Sequence, residues 1–246
     1  MTIPDLFSAA LQRDPARPLL TFYDLATGER VELSRVTAAN WVAKTANMLQ
    51  DSLAAQTGAR VAIDLPVHWE RAVWMLAAWE VGCVVRLGTA ADTDDIAVVG
   101  PDALDGTLPD ADEVVALSLR PLGARFATDL PAGVIDYNAE VLGHGDHFSP
   151  YDRPTLQTPA VEFDGVEYDH AAVVDAARTR AAQWRVTDQP RVLTDGGSDR
   201  DVVEILLGAL VADGSIVLVA NPEADRLTAL RADEQVTVVD PDRPAR

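Results

Sequence analysis

The chain has 246 residues, of which 48% are hydrophobic and 24% are charged, a composition that excludes a disordered protein. Its formal net charge of −19 excludes nucleic acid and anionic membrane surfaces as expected partners, because both require cationic protein surfaces. Its one cysteine, Cys83, excludes an intramolecular disulfide, and its one lysine, Lys44, excludes any mechanism that needs two lysines.

Membrane and export signals are missing from the sequence. No apolar run approaches the roughly 18 residues that a membrane-spanning helix needs. The first residues, MTIPDLFSAALQRDP, contain neither a basic leader nor a cleavable apolar stretch. We therefore expect a cytoplasmic protein with no membrane partner.

Apolar residues at helical spacing predict helices, and short apolar runs bounded by turn residues predict strands. Ser34 is the expected cap of one helix, and Gly82 the expected end of another. The elements expected in the first half are a helix at 4–13, a hairpin of strands at 19–24 and 29–33, a helix at 35–53, a strand at 59–66, a helix at 69–81, and strands at 83–87, 96–101, 113–119 and 133–136.

A loop at residues 143–159, rich in Gly, Asp, Pro and His, separates the two halves and is the candidate domain boundary. The second half opens with a hairpin at 161–169 around an Asp164-Gly165 turn. The elements expected after it are a helix at 170–184, a strand at 191–195, a helix at 201–211, a strand at 215–220, a helix at 222–231, a strand at 236–240 and a frayed tail at 241–246.

The order helix, strand, helix, glycine, strand occurs twice, from Ser34 to Leu87 and from Tyr168 to Val219. This order indicates a duplication, although any protein built of βαβ units shows some self-similarity. Long apolar strands that alternate with helices predict parallel sheets covered on both faces. The expected fold class is α/β, with two similar, mostly parallel βαβ subdomains packed together, residues 1–150 and 151–246, or one continuous domain of the same elements.

Two segments of the first half, LLTFYDLATGERVELSRVTAANWVAKTANMLQ and GARVAIDLPVHWERAVWMLAAWEVGCVV, resemble the start of the adenylate-forming enzymes. That superfamily comprises acyl-CoA synthetases, peptide-synthetase adenylation domains and luciferases. In the second half, YDHAAVVDAARTRAAQW and RVLTDGGSDRDVVEILLGALVADGSIVLV are similar to the family's elements after its phosphate loop. The resemblance covers nearly the whole chain through hydrophobic pattern, so it predicts fold better than activity.

The chain departs from this family where the family binds the phosphates of ATP. The family's loop is rich in Ser, Thr and Gly and ends in Pro-Lys-Gly, so that backbone N–H groups and a lysine hold the phosphates. The matching segment, RPTLQTPAVEFDGVEYDH at residues 153–170, has one glycine, Gly165, and no lysine. Its carboxylates at Glu162, Asp164 and Glu167 would repel a triphosphate.

Other family motifs have no counterpart in these 246 residues. They are the adenine-binding Tyr-Gly-x-Thr-Glu, the ribose-binding aspartate and the C-terminal lid with its catalytic lysine. Lys44 matches neither family lysine. ATP-dependent acyl adenylation is therefore not expected.

Five residues are candidates for ligand binding. Gly196, Gly197, Ser198 and Asp199 follow a predicted strand and open a predicted helix, a place where parallel sheets bind ligands and where helix N-termini favour anions. A turn with an N-cap from Ser198 or Asp199 explains the same residues, and Asp199 would oppose an anion. His170 stands where the resembled enzymes often have a histidine.

Two further patterns have a functional and an ordinary interpretation. HGDHFSPYD carries His144, Asp146, His147 and Asp152, which suit a divalent metal or a solvated loop, and the loop is preferred. The aromatic set around the third predicted helix suits a cluster packed on the sheet, which is preferred, or an aromatic pocket or oligomer patch. That set is His68, Trp69, Trp74 and Trp79.

The preferred functional hypothesis is a non-catalytic relative of the adenylate-forming enzymes that binds a protein partner or a small ligand. A homodimer would cover the faces that a missing lid would expose. The alternative is an acyl-CoA synthetase-like enzyme with an atypical nucleotide, acyl or CoA site around residues 196–199. Since no nucleophile–base pair is placed by the sequence, no catalytic residue, cofactor or metal is predicted.

Overall fold

The computed structural model describes residues 1–186 and 188–241, and for Leu122 it describes the backbone alone. Within these residues the α-helices are α1 (Ile3–Arg13), α2 (Arg35–Asn47), α3 (Trp69–Val81), α4 (Tyr137–Glu140), α5 (His170–Gln183), α6 (Asp199–Val211) and α7 (Ala224–Asp233). The strands are β1 (Pro18–Asp24), β2 (Glu29–Ser34), β3 (Arg60–Asp64), β4 (Val84–Leu87), β5 (Ile96–Val99), β6 (Glu113–Ala116), β7 (Val134–Asp136), β8 (Pro159–Phe163), β9 (Val166–Asp169), β10 (Arg191–Thr194), β11 (Ser215–Ala220) and β12 (Val238–Val239).

Most predicted elements are confirmed, and α3 and β11 have the predicted bounds. The helix expected at 35–53 is different: α2 ends at Asn47 and continues as one π-helical stretch, Met48–Ser52. Periodicity predicts a helix there but not the extra residue per turn of a π-helix. The last strand is shorter than expected, and most of the tail, residues 242–246, lies outside the described residues.

Local signals explain where several elements begin and end. Thr2 and Asp5 form a capping box at the start of α1, in which each side chain accepts a hydrogen bond from the other's backbone N–H. At the end of α3, Gly82 has a φ of +92°, the left-handed conformation in which glycine ends a helix without strain. These contacts need only neighbouring residues, which is why the sequence reveals them.

The described residues form two sheets, and parallel pairs dominate both. One has five strands in the order β12-β10-β11-β1-β2, with β2 antiparallel to β1. The other has seven strands in the order β7-β6-β5-β3-β4-β8-β9, with β9 antiparallel to β8. The predicted α/β class with two similar, mostly parallel sheets is therefore confirmed.

Each sheet takes its edge hairpin from the other repeat of the sequence. The hairpin β1–β2 precedes α2, yet β1 pairs with β11, with Leu20 opposite Ile216. The hairpin β8–β9 precedes α5, yet β8 pairs with β4, with Val161 opposite Val85. Strand neighbours in both sheets are thus far apart in the chain.

This exchange interleaves two compact units. One consists of Met1–Ala38, Val67–Trp69 and Ala171–Arg246, and the other of Ala39–Pro66 and Glu70–His170. The sequence-based division at residue 150 follows chain order, whereas strand pairing assigns the first two strands to the same unit as the last three. Whether residues 1–150 or 151–246 fold alone stays a prediction.

Each unit has its own apolar core. In the unit of the five-stranded sheet, the core includes Leu25, Leu193, Val217, Val219 and Leu230. In the unit of the seven-stranded sheet, one core cluster is formed by Ala97, Val99, Val114 and Ala116. Among the helices of the described residues, none combines the length and the apolar character that crossing a bilayer requires.

Candidate functional site

Within the segment that matches the phosphate loop of the resembled enzymes, residues 153–170, residues 159–169 form a tight β-hairpin. Phe163 of β8 is opposite Val166 of β9, so only two residues, Asp164 and Gly165, connect the strands. Both have positive φ, 51° and 77°. These angles fit a two-residue type I′ turn, for which Asp-Gly is a favoured sequence. Residues 159–169, all of which the structure describes, therefore contain no long loop in which backbone N–H groups converge.

The carboxylates of this hairpin are engaged by a cation of the protein. Arg60 Nη1 lies 2.6 Å from Glu167 Oε1, and Arg60 Nη2 pairs with Glu162. Burial alone lowers the pKa of Arg60, but the hydrogen bonds to Glu162 and Glu167 outweigh it, so the net shift is upward. Glu162 and Glu167 thus connect the hairpin to β3 through Arg60, whereas Asp164 in the turn takes no part in these two pairs.

His170 begins α5 and is completely buried. Its backbone N–H donates to the carbonyl of Thr158, 3.1 Å away. Arg35 holds the same place in the other repeat: it begins α2, is completely buried, and donates its backbone N–H to Arg17 O at 2.8 Å. The Arg35 side chain then pairs with Asp213 at 2.7 Å. Because His170 and Arg35 occupy equivalent positions at the starts of α5 and α2, we interpret His170 as a structural residue.

The glycine pair of the other candidate loop is required by the backbone. Gly196 has a φ of +101°, and a Cβ there would lie 3.0 Å from Val67 Cγ2. Gly197 has a φ of +71°, and a Cβ there would lie 2.8 Å from Asp201 Oδ2. Residues with side chains adopt such positive φ values only with strain, and here they would also collide with a neighbour. The local conformation explains both glycines without a ligand.

Ser198 is the N-cap of α6, as one of the two sequence interpretations predicted. Its Oγ accepts a hydrogen bond from Asp201 N at 3.2 Å, and Asp201 Oδ2 accepts one from Ser198 N at 2.9 Å. Burial raises the pKa of Asp201, but hydrogen bonds from Ser198 and Arg180 lower it by more. Asp201 is therefore a carboxylate that already occupies the N-terminus of α6, where an anion would bind.

The five predicted ligand-binding residues fall into two places. Gly196, Gly197, Ser198 and Asp199 form one loop in the unit of the five-stranded sheet, and His170 belongs to the other unit. Asp199 is exposed and Gly196 is buried. Their role in ligand binding stays a prediction, because their contacts described above are those of caps and turns.

The HGDHFSPYD segment is hydrogen-bonded to the end of α2 and to its π-helical extension. Side-chain donors on that helix donate to backbone carbonyls of the segment. The bonds run from Lys44 Nζ to His144 O (2.5 Å), from Asn47 Nδ2 to Gly145 O and His147 O (both 2.9 Å), and from Gln50 Nε2 to Ser149 O (3.3 Å). Within the described residues, no group of three His, Cys, Asp or Glu side chains is arranged to hold a metal ion.

The aromatic residues around α3 are core residues. Trp69, Trp74 and Trp79 are each exposed by at most 2%. Trp74 packs against Tyr137, with ring centroids 5.2 Å apart, and Trp79 Nε1 donates to Ala160 O at 2.7 Å. Their burial makes the alternative of an exposed oligomer patch wrong.

Comparison with known proteins identifies the family but no activity. No family model matches the chain. A TIGR03089 family protein of Mycobacterium tuberculosis is 41% identical over 253 residues, a match that covers 97% of this chain and 100% of that protein. The chain belongs to the TIGR03089 family.

Solved structures show the fold of this TIGR03089 family member. Similar structures are the acetoacetyl-CoA synthetase from Streptomyces lividans (17% identity, TM-score 0.78, covering 97% of this chain and 42% of that one), the acyl-CoA synthetase from Brucella canis (18%, 0.78, 97% and 47%) and the N-terminal domain of FACL13 from Mycobacterium tuberculosis (14%, 0.74, 96% and 61%). The chain spans between 42% and 61% of their lengths. The predicted relation to the N-terminal region of adenylate-forming enzymes is confirmed at the level of fold.

Sequence reasoning missed one buried polar group in this family member. Glu70 in α3 is completely buried, and Asn138 Nδ2 donates to its Oε1 at 2.8 Å. Asn138 Oδ1 in turn accepts from Ser118 N at 2.9 Å. These residues follow three different strands of the seven-stranded sheet. No local pattern could reveal the group, since its members are 20 to 68 positions apart.

Proposed function

We propose that this protein does not carry out ATP-dependent acyl adenylation and acts as a binding module built on the fold of those enzymes. The observation that supports this most strongly is the β8–β9 hairpin, which stands where the resembled enzymes have their phosphate loop. Asp164 and Gly165 are its entire connection.

Two features of the hairpin oppose phosphate binding. A phosphate site uses backbone N–H groups that point together at one anion, and it needs a loop of several residues to arrange them. A two-residue turn cannot supply that arrangement, since the N–H groups of the flanking strands lie in or beside the ladder. In addition, Asp164 places a carboxylate in the turn itself, and like charges repel a triphosphate.

Thermal-shift measurements with ATP, AMP and CoA, together with ATP–pyrophosphate exchange, test this proposal. A bound ligand at a hundredfold excess over its Kd stabilises the folded state by about 2.7 kcal/mol, so weak binding is detectable. We expect no shift with ATP or AMP and no exchange. The variant Asp164→Asn keeps a two-residue turn and removes its carboxylate, so it separates loop length from charge, and we expect it to remain unable to bind ATP. A shift and exchange in the wild-type protein would favour the enzyme alternative.

For the binding partner we propose a second copy of the chain. The seven-stranded sheet ends in β9, an edge strand on which Val166 is 53% exposed, and edge strands readily pair with another chain. The mass in solution, measured by light scattering over a range of concentrations, tests this. A mass of two chains supports the proposal, and a mass of one chain at every concentration contradicts it.

A further inference from the structure

The last strand of the five-stranded sheet is attached to the protein mainly through the residue that follows it. β12 has two residues and lies at the edge of its sheet, where β10 is its neighbour. So short an edge strand contributes little pairing of its own. Asp240, the next residue, is only 8% exposed, and its backbone N–H donates to Leu193 O at 3.0 Å. We call residues 238–240 the C-terminal segment.

The carboxylate of Asp240 accepts hydrogen bonds from two side chains of the α5 region. Arg180 donates from Nε to Oδ2 at 2.7 Å and from Nη2 to Oδ1 at 2.5 Å. Trp184 donates from Nε1 to Oδ2 at 2.6 Å. A two-point bond between a guanidinium and a carboxylate fixes the orientation of both groups. Asp240 therefore determines where the Arg180 side chain points.

Arg180 also contacts the helix that follows the candidate loop at residues 196–199. Its Nη2 lies 2.9 Å from Oδ1 of Asp201 on α6. The side chains of Arg180, Asp201 and Asp240 are exposed by only 15%, 16% and 11%, so solvent screens these pairs less than surface pairs. The hydrogen bond to Asp240 is the largest of the effects that raise the pKa of Arg180, which stays charged.

The position of Asp201 in turn determines the conformation of the candidate loop. Its Oδ2 accepts hydrogen bonds from the N–H of Ser198 at 2.9 Å and from Ser198 Oγ at 2.7 Å. The same oxygen lies 2.8 Å from where a Cβ on Gly197 would be. One series of contacts thus connects Asp240 to the loop through Arg180 and Asp201.

We propose that the C-terminal segment controls the conformation of the loop at residues 196–199. While Asp240 is docked, Arg180 holds Asp201 in the capping box of α6. When the segment opens, Arg180 loses its fixed orientation, and the cap weakens. Terminal edge segments open more readily than the rest of a domain, so the two states exchange within the folded protein. Linkage makes the effect reciprocal: a molecule that binds one conformation of the loop changes how often the segment opens.

NMR spectra of the ¹⁵N-labelled protein test this inference. In Asp240→Ala the indole N–H signal of Trp184 should shift, because it loses its acceptor, and the amide signals of Gly197 and Ser198 should shift or broaden as well. The control Asp233→Ala removes an exposed carboxylate of the same unit and should leave all of these signals in place. A shift at Trp184 without any change at Gly197 and Ser198 would overturn the proposal.

A second variant keeps the test valid if Asp240→Ala does not fold. Asp240→Asn retains the size of the side chain and one acceptor oxygen but removes the charge. It should move the same signals in the same direction by a smaller amount. Unchanged signals at Gly197 and Ser198 in a folded Asp240→Asn protein whose Trp184 signal has moved would contradict the proposal.

A double-mutant cycle measures whether the segment and the cap depend on each other. Asp240→Ala and Ser198→Ala are made singly and together, and the unfolding equilibrium constant is measured by urea denaturation. We expect the combined effect to fall short of the product of the single effects by about threefold or more, because release of the segment already weakens the cap. The control cycle uses Thr2→Ala in the capping box of α1, in the same unit, and its effects should multiply to within about twofold. Effects that multiply in both cycles would contradict the proposal.

Discussion

Arg60 on β3 forms an ion pair with Glu167 on β9, 2.6 Å between Nη1 and Oε1, although β4 and β8 lie between these strands in the sheet. The same guanidinium pairs with Glu162 on β8. The Arg60 side chain thus connects the β8–β9 hairpin to β3 through two ion pairs.

Replacing this arginine should lower stability. Arg60→Met would leave Glu162 and Glu167 without their cation, and we expect a loss of about 1–3 kcal/mol in the free energy of unfolding, measured by urea denaturation. The matched control is Arg178→Met, whose partner Asp175 lies on the same helix in an exposed pair. That variant should lose less than about 0.5 kcal/mol. Equal losses in the two variants would mean that the Arg60 pairs are as weak as surface pairs.

Asp213 should make stability depend on pH in the acid range. Burial raises its pKa, but hydrogen bonds from Arg13 and Arg35 lower it by more, so the folded pKa lies below the ordinary value of 3.8. A lowered pKa contributes stability above pH 3.8 that is lost as the pH falls through the folded pKa. Asp213→Asn should therefore be less stable than wild type at pH 7, and the difference should shrink at pH 3. A difference that stays constant with pH would contradict this assignment.

His68 should also make stability depend on pH, at higher pH values than Asp213. Burial lowers its pKa to about 4, against an opposing effect of the Asp24 charge, and its ring packs on Phe22 with centroids 4.8 Å apart. Because the unfolded chain binds the proton more readily, stability should fall as the pH decreases from 7 to 5, by up to about 2 kcal/mol. His68→Phe should lose this part of the pH dependence. Parallel curves for the two proteins, measured by chemical denaturation, would contradict it.

Replacing Gly214 tests how closely the backbone before β11 packs against Pro190. A Cβ at this position would collide with the carbonyl oxygen and ring of Pro190, both in the same compact unit. We expect Gly214→Ala to lower the melting temperature and to cost about 1–3 kcal/mol. Gly143→Ala is the control, because a Cβ there meets no atom within 4 Å. If Gly214→Ala melts like its control, the predicted collision does not occur.

Local patterns predict elements of this fold better than they predict its connections. Gly82 marks the end of α3 and the Asp164-Gly165 pair marks a hairpin turn, since each signal needs only adjacent residues. The exchange of hairpins between the repeats depends on pairs such as Leu20 with Ile216, 196 positions apart, which no local pattern encodes. The interleaved units follow from these distant pairs.

In the candidate site too, features encoded by adjacent residues are predictable from the sequence, and features that depend on distant residues are not. The sequence alone shows that residues 153–170 contain one glycine and no lysine, because this is a local feature. The buried place of His170 is not predictable, since Arg35, its counterpart in the other repeat, is a different residue type.

The most direct test of the central claim is an NMR titration of the ¹⁵N-labelled protein with ATP and Mg²⁺, observed at the amides of Asp164 and Gly165. These residues form the two-residue connection between β8 and β9. We expect both amide signals to stay in place up to millimolar ATP. Saturable shifts at these two amides would show that the hairpin binds nucleotide phosphates and would contradict the proposal that this protein does not adenylate acyl groups.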